Sequence, residues 1–178
     1  MRSPSCRSWP RRALLLFLVS LSWGPPTAVV AVAAPPAEPT PAPSPLPGES
    51  VPEFDAVALA GRVEHVGFPK GEATVLLFFL SSCPHCHKMI PLWNRAAEQN
   101  SRGVRVLGII LDQEPPGFFT AMPVSFPVFR TPGRTFTESI KVYRTPTALR
   151  VGPRGLIEDV QVGIFDGIRV GELFRPVK

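Results

Sequence analysis

Thr74-Val75-Leu76-Leu77-Phe78-Phe79-Leu80-Ser81-Ser82-Cys83-Pro84-His85-Cys86 is the stretch on which the fold turns. Its first seven residues form an unbroken apolar run, the pattern of a strand covered on both faces. Two serines end the run, and a Cys-x-x-Cys pair follows at once. Beyond it Met89, Ile90, Leu92, Trp93, Ala96 and Ala97 recur at helical spacing, with Lys88, Asn94, Arg95 and Glu98 on the other side. The helix is predicted to end near Asn100–Gly103, and Val104–Leu111 reads as a second strand. Strand, helix and strand in succession make a βαβ unit with a right-handed crossover.

The rest of the folded part is patterned more loosely. Asp112-Gln113-Glu114-Pro115-Pro116 leads towards a short helix through Phe118, Phe119 and Met122, and a second helix is predicted over Thr135–Tyr143. Thr147–Val151 and Leu156–Val162, joined by Gly152-Pro153-Arg154-Gly155, have the signature of a hairpin. A last helix is expected over Asp166–Phe174. The sum is an α/β domain with a mixed central sheet flanked by helices. The Phe-rich stretch of Phe118, Phe119, Phe126 and Phe129 is read as packed on that sheet, as the insertion that the family resemblance given below implies, and a hydrophobic client surface is the alternative.

The N-terminus has a different composition. Arg2, Arg7, Arg11 and Arg12 precede an apolar run from Ala13 that reaches Trp23 before Gly24-Pro25-Pro26 breaks it. Such a run is too short to span a bilayer, which takes roughly 20 residues. Ala31-Val32-Ala33 supplies a small-x-small cleavage pattern, so residues 1–33 read as a signal peptide. An uncleaved anchor is the alternative, and Arg11-Arg12 fits a twin-arginine leader only weakly. Residues 34–49 hold a dense share of the chain's 23 prolines and read as an extended linker. The folded domain is then 50–178. The formal charge of +5 belongs mostly to the leader: past Ala33 there are 15 Lys and Arg against 14 Asp and Glu. A nucleic-acid footprint is therefore not expected.

Of three cysteines Cys6 lies in the leader, which leaves Cys83 and Cys86. So short a loop gains little stability from a disulfide, so a structural staple explains the pair poorly. The spacing puts Cys83 at the mouth of a helix and Cys86 a turn inside it, on the apolar stripe. Pro84 suits the first helical position. Free N–H groups at the helix start favour a thiolate on Cys83. An exposed attacking sulfur and a sheltered resolving one are what thiol–disulfide exchange needs, and His85 between them is placed to tune the pair. Two other readings stay open. Cys83-Pro84-His85-Cys86-His87 satisfies the C-x-x-C-H haem-attachment pattern, with His87 as one axial ligand and Met122 or His65 as the other. A copper-carrying site built from the cysteines with His85 or His87 is the third. Otherwise His65 is read as a solvated loop residue.

These features together resemble the thioredoxin superfamily, above all its exported TlpA/ResA-like thiol–disulfide oxidoreductases. The resemblance runs over about residues 51–178: Pro52-Glu53-Phe54, the strand–CxxC–helix unit, Pro91 inside the helix, Tyr143-Arg144-Thr145-Pro146-Thr147, then Gly152-Pro153-Arg154-Gly155 and Gly163. It implies a thioredoxin-like fold, Cys83 and Cys86 as catalytic residues, and a cis Pro146 facing them, with Thr145 and Pro146 binding an extended client. It also implies a protein disulfide reductase of the periplasm or cell envelope that needs no cofactor or metal and acts as a monomer. Its partners would be protein thiols and disulfides, apocytochromes among them, and a membrane redox donor. Pro84-His85 resembles instead the dipeptide of the oxidant DsbA, so the direction of electron flow stays open. The sequence departs from the family at Leu77, where thioredoxin has a buried aspartate, and at Met89, where ResA-like enzymes have a glutamate. Water or His87 is left to take the Cys86 proton.

Overall fold

The computed structural model describes residues 43–99 and 103–176. The leader over 1–33 and most of the linker lie outside the described residues. Seven strands form one mixed sheet: β1 (Phe54–Ala58), β2 (Val63–Val66), β3 (Ala73–Phe79), β4 (Val104–Ile110), β5 (Val128–Arg130), β6 (Thr147–Val151) and β7 (Ile157–Val162), in spatial order β2-β1-β5-β4-β3-β6-β7. Among the described residues four α-helices accompany them: α1 (Pro84–Gln99), α2 (Phe118–Ala121), α3 (Arg134–Ser139) and α4 (Gly167–Leu173). Among the described residues no helix is long and apolar enough to cross a membrane.

β3 is interior to the sheet, parallel to β4 on one side and antiparallel to β6 on the other. All seven of its residues are buried. Because strand side chains alternate, Val75, Leu77 and Phe79 enter one core with Cys86, Met89, Ile90 and Trp93 of α1 and Leu173 of α4, while Leu76 and Phe78 enter the other. That second core gathers Phe54, Ile109, Phe129, Ile140 and Leu149. Covering on both faces is why the stretch has no polar alternation. Each fully buried Leu or Phe contributes about 1.5–3 kcal/mol.

β1, β2 and β5 lie outside the elements expected from sequence. β2 is an edge strand of 4 residues with Val63 exposed, and β5 has only 3 residues between Pro127 and Pro132. Long-range pairing makes them, with β5 lying parallel beside β4. The helix expected over Thr135–Tyr143 is shorter and ends at Ser139.

The proline-rich segment meets the domain before residue 50. Pro45 is buried, the Gly48 N–H donates to Ile157 O at 2.8 Å, and the Ile157 N–H donates to Glu49 O at 2.8 Å. Glu49 also pairs with Lys141. Val51 donates to Gly155 O at 2.8 Å. Gly155 has φ +77° and lies so close to this segment that a Cβ would sit 2.4 Å from the Val51 carbonyl oxygen, so only glycine fits. Arg150 ties down the other end of the chain. It is buried in β6, its Nε donates to Glu158 at 2.9 Å, and its Nη1 donates to the carbonyls of Leu173 (2.9 Å) and Arg175 (2.6 Å) at the end of α4.

Candidate active site

The Cys83 carbonyl accepts the His87 N–H at 3.2 Å, the first bond of α1, so Cys83 stands at the helix N-cap. Its sulfur does what an N-cap oxygen does elsewhere: Sγ accepts the Cys86 N–H at 3.3 Å. Pro84 follows as the first helical residue, where its missing N–H costs nothing. Cys86, one turn in, is 0% exposed in the core beneath α1, whereas Cys83 is half-buried. Both are free thiols.

The environments drive the two sulfurs apart. Burial raises the Cys83 thiol, but hydrogen bonds from the Cys86 thiol and N–H, the Thr145 side chain and the His85 N–H outweigh it and bring it below its ordinary 9.0. Cys86 moves the other way: burial, then the neighbouring Cys83 sulfur, push it up to about 12. One sulfur is poised to ionise and the other is held as a thiol.

Thr145 and Pro146 close the site from the loop before β6. The Thr145–Pro146 peptide bond is cis, Pro146 is buried, and the Thr145 carbonyl lies 3.9 Å from Cys83 Sγ. The loop is fastened on both sides. Thr147 Oγ1 donates to Arg144 O at 2.8 Å, and Gly163 N–H donates to Pro146 O at 2.8 Å. Two residues on, the Phe165 N–H donates to Met89 Sδ at 3.4 Å, which joins the β7–α4 loop to the underside of α1. The residue singled out as a departure thus has a partner of its own.

The three histidines stand in different surroundings. His85 presents an exposed side chain and reaches Cys83 through its backbone N–H. His87 turns Nε2 to the Ser81 carbonyl at 2.7 Å and packs 5.8 Å from the Phe118 ring. His65 lies not in a loop but on β2, with β1, β5 and β4 between it and β3, and bonds Asp55 at 2.8 Å and Glu53 at 3.3 Å. That position removes it as an axial ligand. Cys86 lies in the core, where a thioether to a porphyrin would have to displace packed side chains, which counts against the haem reading; Met122, the other candidate ligand, packs against the same core. Among the described residues no group of three or more His, Cys, Asp or Glu side chains is arranged to hold a metal ion. Phe118 and Phe119 pack against the α1-side core, which Phe126 enters, and Phe129 belongs to the opposite core.

One residue at the site gave no sequence signal. Asp112, just past β4, accepts hydrogen bonds from the N–H and hydroxyl groups of both Ser81 and Ser82. Thirty residues of separation hide such a contact from any local pattern.

The family model described as Redoxin matches residues 46–170. Among solved structures, MTB dsbF is 26% identical with a TM-score of 0.60, covering 68% of this chain and 92% of that one. StoA from Bacillus subtilis (20% identity, TM-score 0.60, 70% and 98% covered) and a thioredoxin-family thiol:disulfide interchange protein from Chlorobium tepidum TLS (20%, 0.59, 74% and 94%) share the fold. The methylamine utilization protein MauD of Paracoccus versutus is 35% identical over 57 residues, which is 32% of this chain and 29% of that protein's length. The fold is thioredoxin-like, and with a matching family model that takes in β3, both sulfurs and the Pro146 loop, this chain belongs to the Redoxin family.

Proposed function

We propose that this chain is a thiol–disulfide oxidoreductase that reduces disulfides in protein clients of the cell envelope. The observation that carries the reading is the inequality of the two sulfurs: Cys83 reachable and held below an ordinary thiol, Cys86 sealed in the core and held at about 12. Cys83 thiolate attacks a client disulfide, forming a Cys83–client bond while the client's second sulfur leaves as thiolate and takes a proton. The Cys86 thiol then gives up its proton and attacks Cys83 Sγ, releasing the first client sulfur. Two electrons pass to the client, and the Cys83–Cys86 disulfide remains for a membrane donor to reduce. Thr145 and Pro146 are the residues against which an extended client strand would lie.

We infer the direction from the surroundings of Cys83. Strong oxidants owe their potential to a heavily stabilised thiolate in the reduced form. Here the backbone N–H of Cys86 donates to Cys83 Sγ at 3.3 Å, and the His85 side chain is exposed. That favours the reductant. The leader, with its basic start and small-residue cut, supports an exported site of action, and apocytochrome cysteine pairs are candidate clients by family resemblance.

Two measurements test the reading. Wild type should reduce insulin, Cys83→Ser should not, and Cys86→Ser should accumulate the mixed disulfide. The potential against glutathione should fall near the thioredoxin value of about −270 mV; one near −120 mV would make the chain an oxidant instead.

A further inference from the structure

The turn between β3 and α1 is held from outside its own sequence. Asp112 Oδ1 accepts the Ser81 N–H at 2.7 Å. Its Oδ2 accepts the Ser81 hydroxyl at 2.9 Å, the Ser82 hydroxyl at 3.0 Å and the Ser82 N–H at 3.1 Å. One carboxylate therefore takes four donors from the two residues that precede Cys83. On the far side the Ser81 carbonyl accepts from His87 Nε2 at 2.7 Å; a ring nitrogen facing a carbonyl must carry the hydrogen. Ser81 is thus fastened to the end of β4 through Asp112 and to the first turn of α1 through His87.

The fastened turn leads straight to Cys83. The Cys83 N–H donates to Leu80 O at 3.3 Å, which closes residues 80–83 into one turn. The bonds that Cys83 Sγ makes are long ones, 3.3 Å from the Cys86 nitrogen and 3.9 Å to Thr145 O. The first favours the thiolate, because there Sγ accepts, whereas Thr145 O can only accept from the neutral thiol. Long hydrogen bonds lose strength steeply with further misalignment, and a small rotation of the turn would weaken the bond from the Cys86 N–H. The ionised state of Asp112 is secure: burial raises its carboxyl, but the four serine donors outweigh that and hold it below the ordinary range. Other ionisable groups in this part of the chain include His85, His87, Lys88, Arg144 and the Glu114–Arg130 pair, in which Arg130 meets both carboxylate oxygens at 2.6 Å.

We propose that Asp112 is a positioning residue for Cys83, acting through the Ser81–Ser82 turn to keep the sulfur on the N–H groups that open α1. The inference rests on the exchange reading given above. Two effects of opposite sign make it testable. A carboxylate acting only as a nearby negative charge disfavours the thiolate, so its removal would make Cys83 more acidic. A carboxylate acting as a clamp keeps donors on the thiolate, so its removal makes Cys83 less acidic.

The experiment is alkylation of the reduced full chain by iodoacetamide across a pH series, with Cys83 modification followed by mass and thiolate by its ultraviolet absorbance. Asp112→Ala should displace the Cys83 profile to higher pH by about half a unit to one unit, a roughly three- to tenfold slower reaction below the midpoint. Asp112→Asn, which keeps one acceptor oxygen, should move it less and in the same direction. A profile displaced to lower pH, or one left in place while only the melting temperature falls, overturns the proposal. Should the Asp112 variants fail to fold, the double variant Ser81→Ala, Ser82→Ala keeps the carboxylate and both backbone bonds. It should still displace the profile upward, and no displacement sinks the idea. Iodoacetamide reads the sulfur without any client, so this result stands apart from insulin reduction, whose failure in wild type would count against the exchange reading alone.

Discussion

At the scale of single residues, the unequal acidity of Cys83 and Cys86 has a consequence for stability as well as for reactivity. Cys86 has its folded value raised to about 12 from an ordinary 9.0. A raised group contributes stability that is complete below the unfolded value and is lost as pH climbs through the folded one. The reduced protein should therefore lose melting temperature between about pH 9 and pH 12 through this group, and the oxidised protein, which has no Cys86 proton to lose, should lack that component. Cys83, with its value lowered, works in the opposite sense: its contribution is present above the ordinary thiol value and lost as pH falls through its own. Alkylation at moderately alkaline pH should accordingly label Cys83 and leave Cys86 unmodified, as peptide mass mapping would show. The cysteine spacing and the apolar stripe made this asymmetry legible in advance, because both belong to one helix. Asp112 and the turning of His87 towards Ser81 were not legible, since each depends on a contact that no period of the sequence encodes.

Among the elements, legibility follows burial. β3 and α1 could be read because both are long and carry an uninterrupted apolar signal, seven buried residues in one and a stripe from Cys86 to Ala96 in the other. β5 could not, because three residues between prolines hold no period and owe their pairing to β4 and β1. β1 has the right alternation until Val57, an apolar residue left exposed, spoils it. The hairpin β6–β7 was legible from its turn, and Gly155 within that turn offers a sharp test. Gly155→Ala forces a left-handed φ on alanine and drives its Cβ against the Val51 carbonyl, which should cost about 2 kcal/mol or more in chemical denaturation. Arg150→Met tests the end of α4 in the same way: it leaves the Leu173 and Arg175 carbonyls without their donor. A loss of roughly 1–3 kcal/mol is expected for those groups.

For the molecule as a whole, the domain begins earlier than its composition suggests. A chain starting at Pro43 should melt like the parent, whereas one starting at Pro52 should melt markedly lower. It gives up the buried Val51 side chain, the bonds of Gly48, Glu49 and Val51 to the β7 side, and the Glu49–Lys141 pair. Thermal melts of the two truncations decide it. The overall architecture was accessible from sequence because the βαβ unit and the hairpin between them name most of the central sheet; the outer strands were not, being assembled by neighbours rather than by their own composition. The fastening of the sulfurs has a last implication for how a copy of this protein comes into being. Ser81 waits for a carboxylate 31 positions further on, and Cys83 for a threonine 62 positions further on. A half-synthesised chain carries two unremarkable cysteines, with no more appetite for a stranger's disulfide than any others. The lowered value that sets Cys83 apart therefore belongs to the folded domain, which brings its distant partners to it.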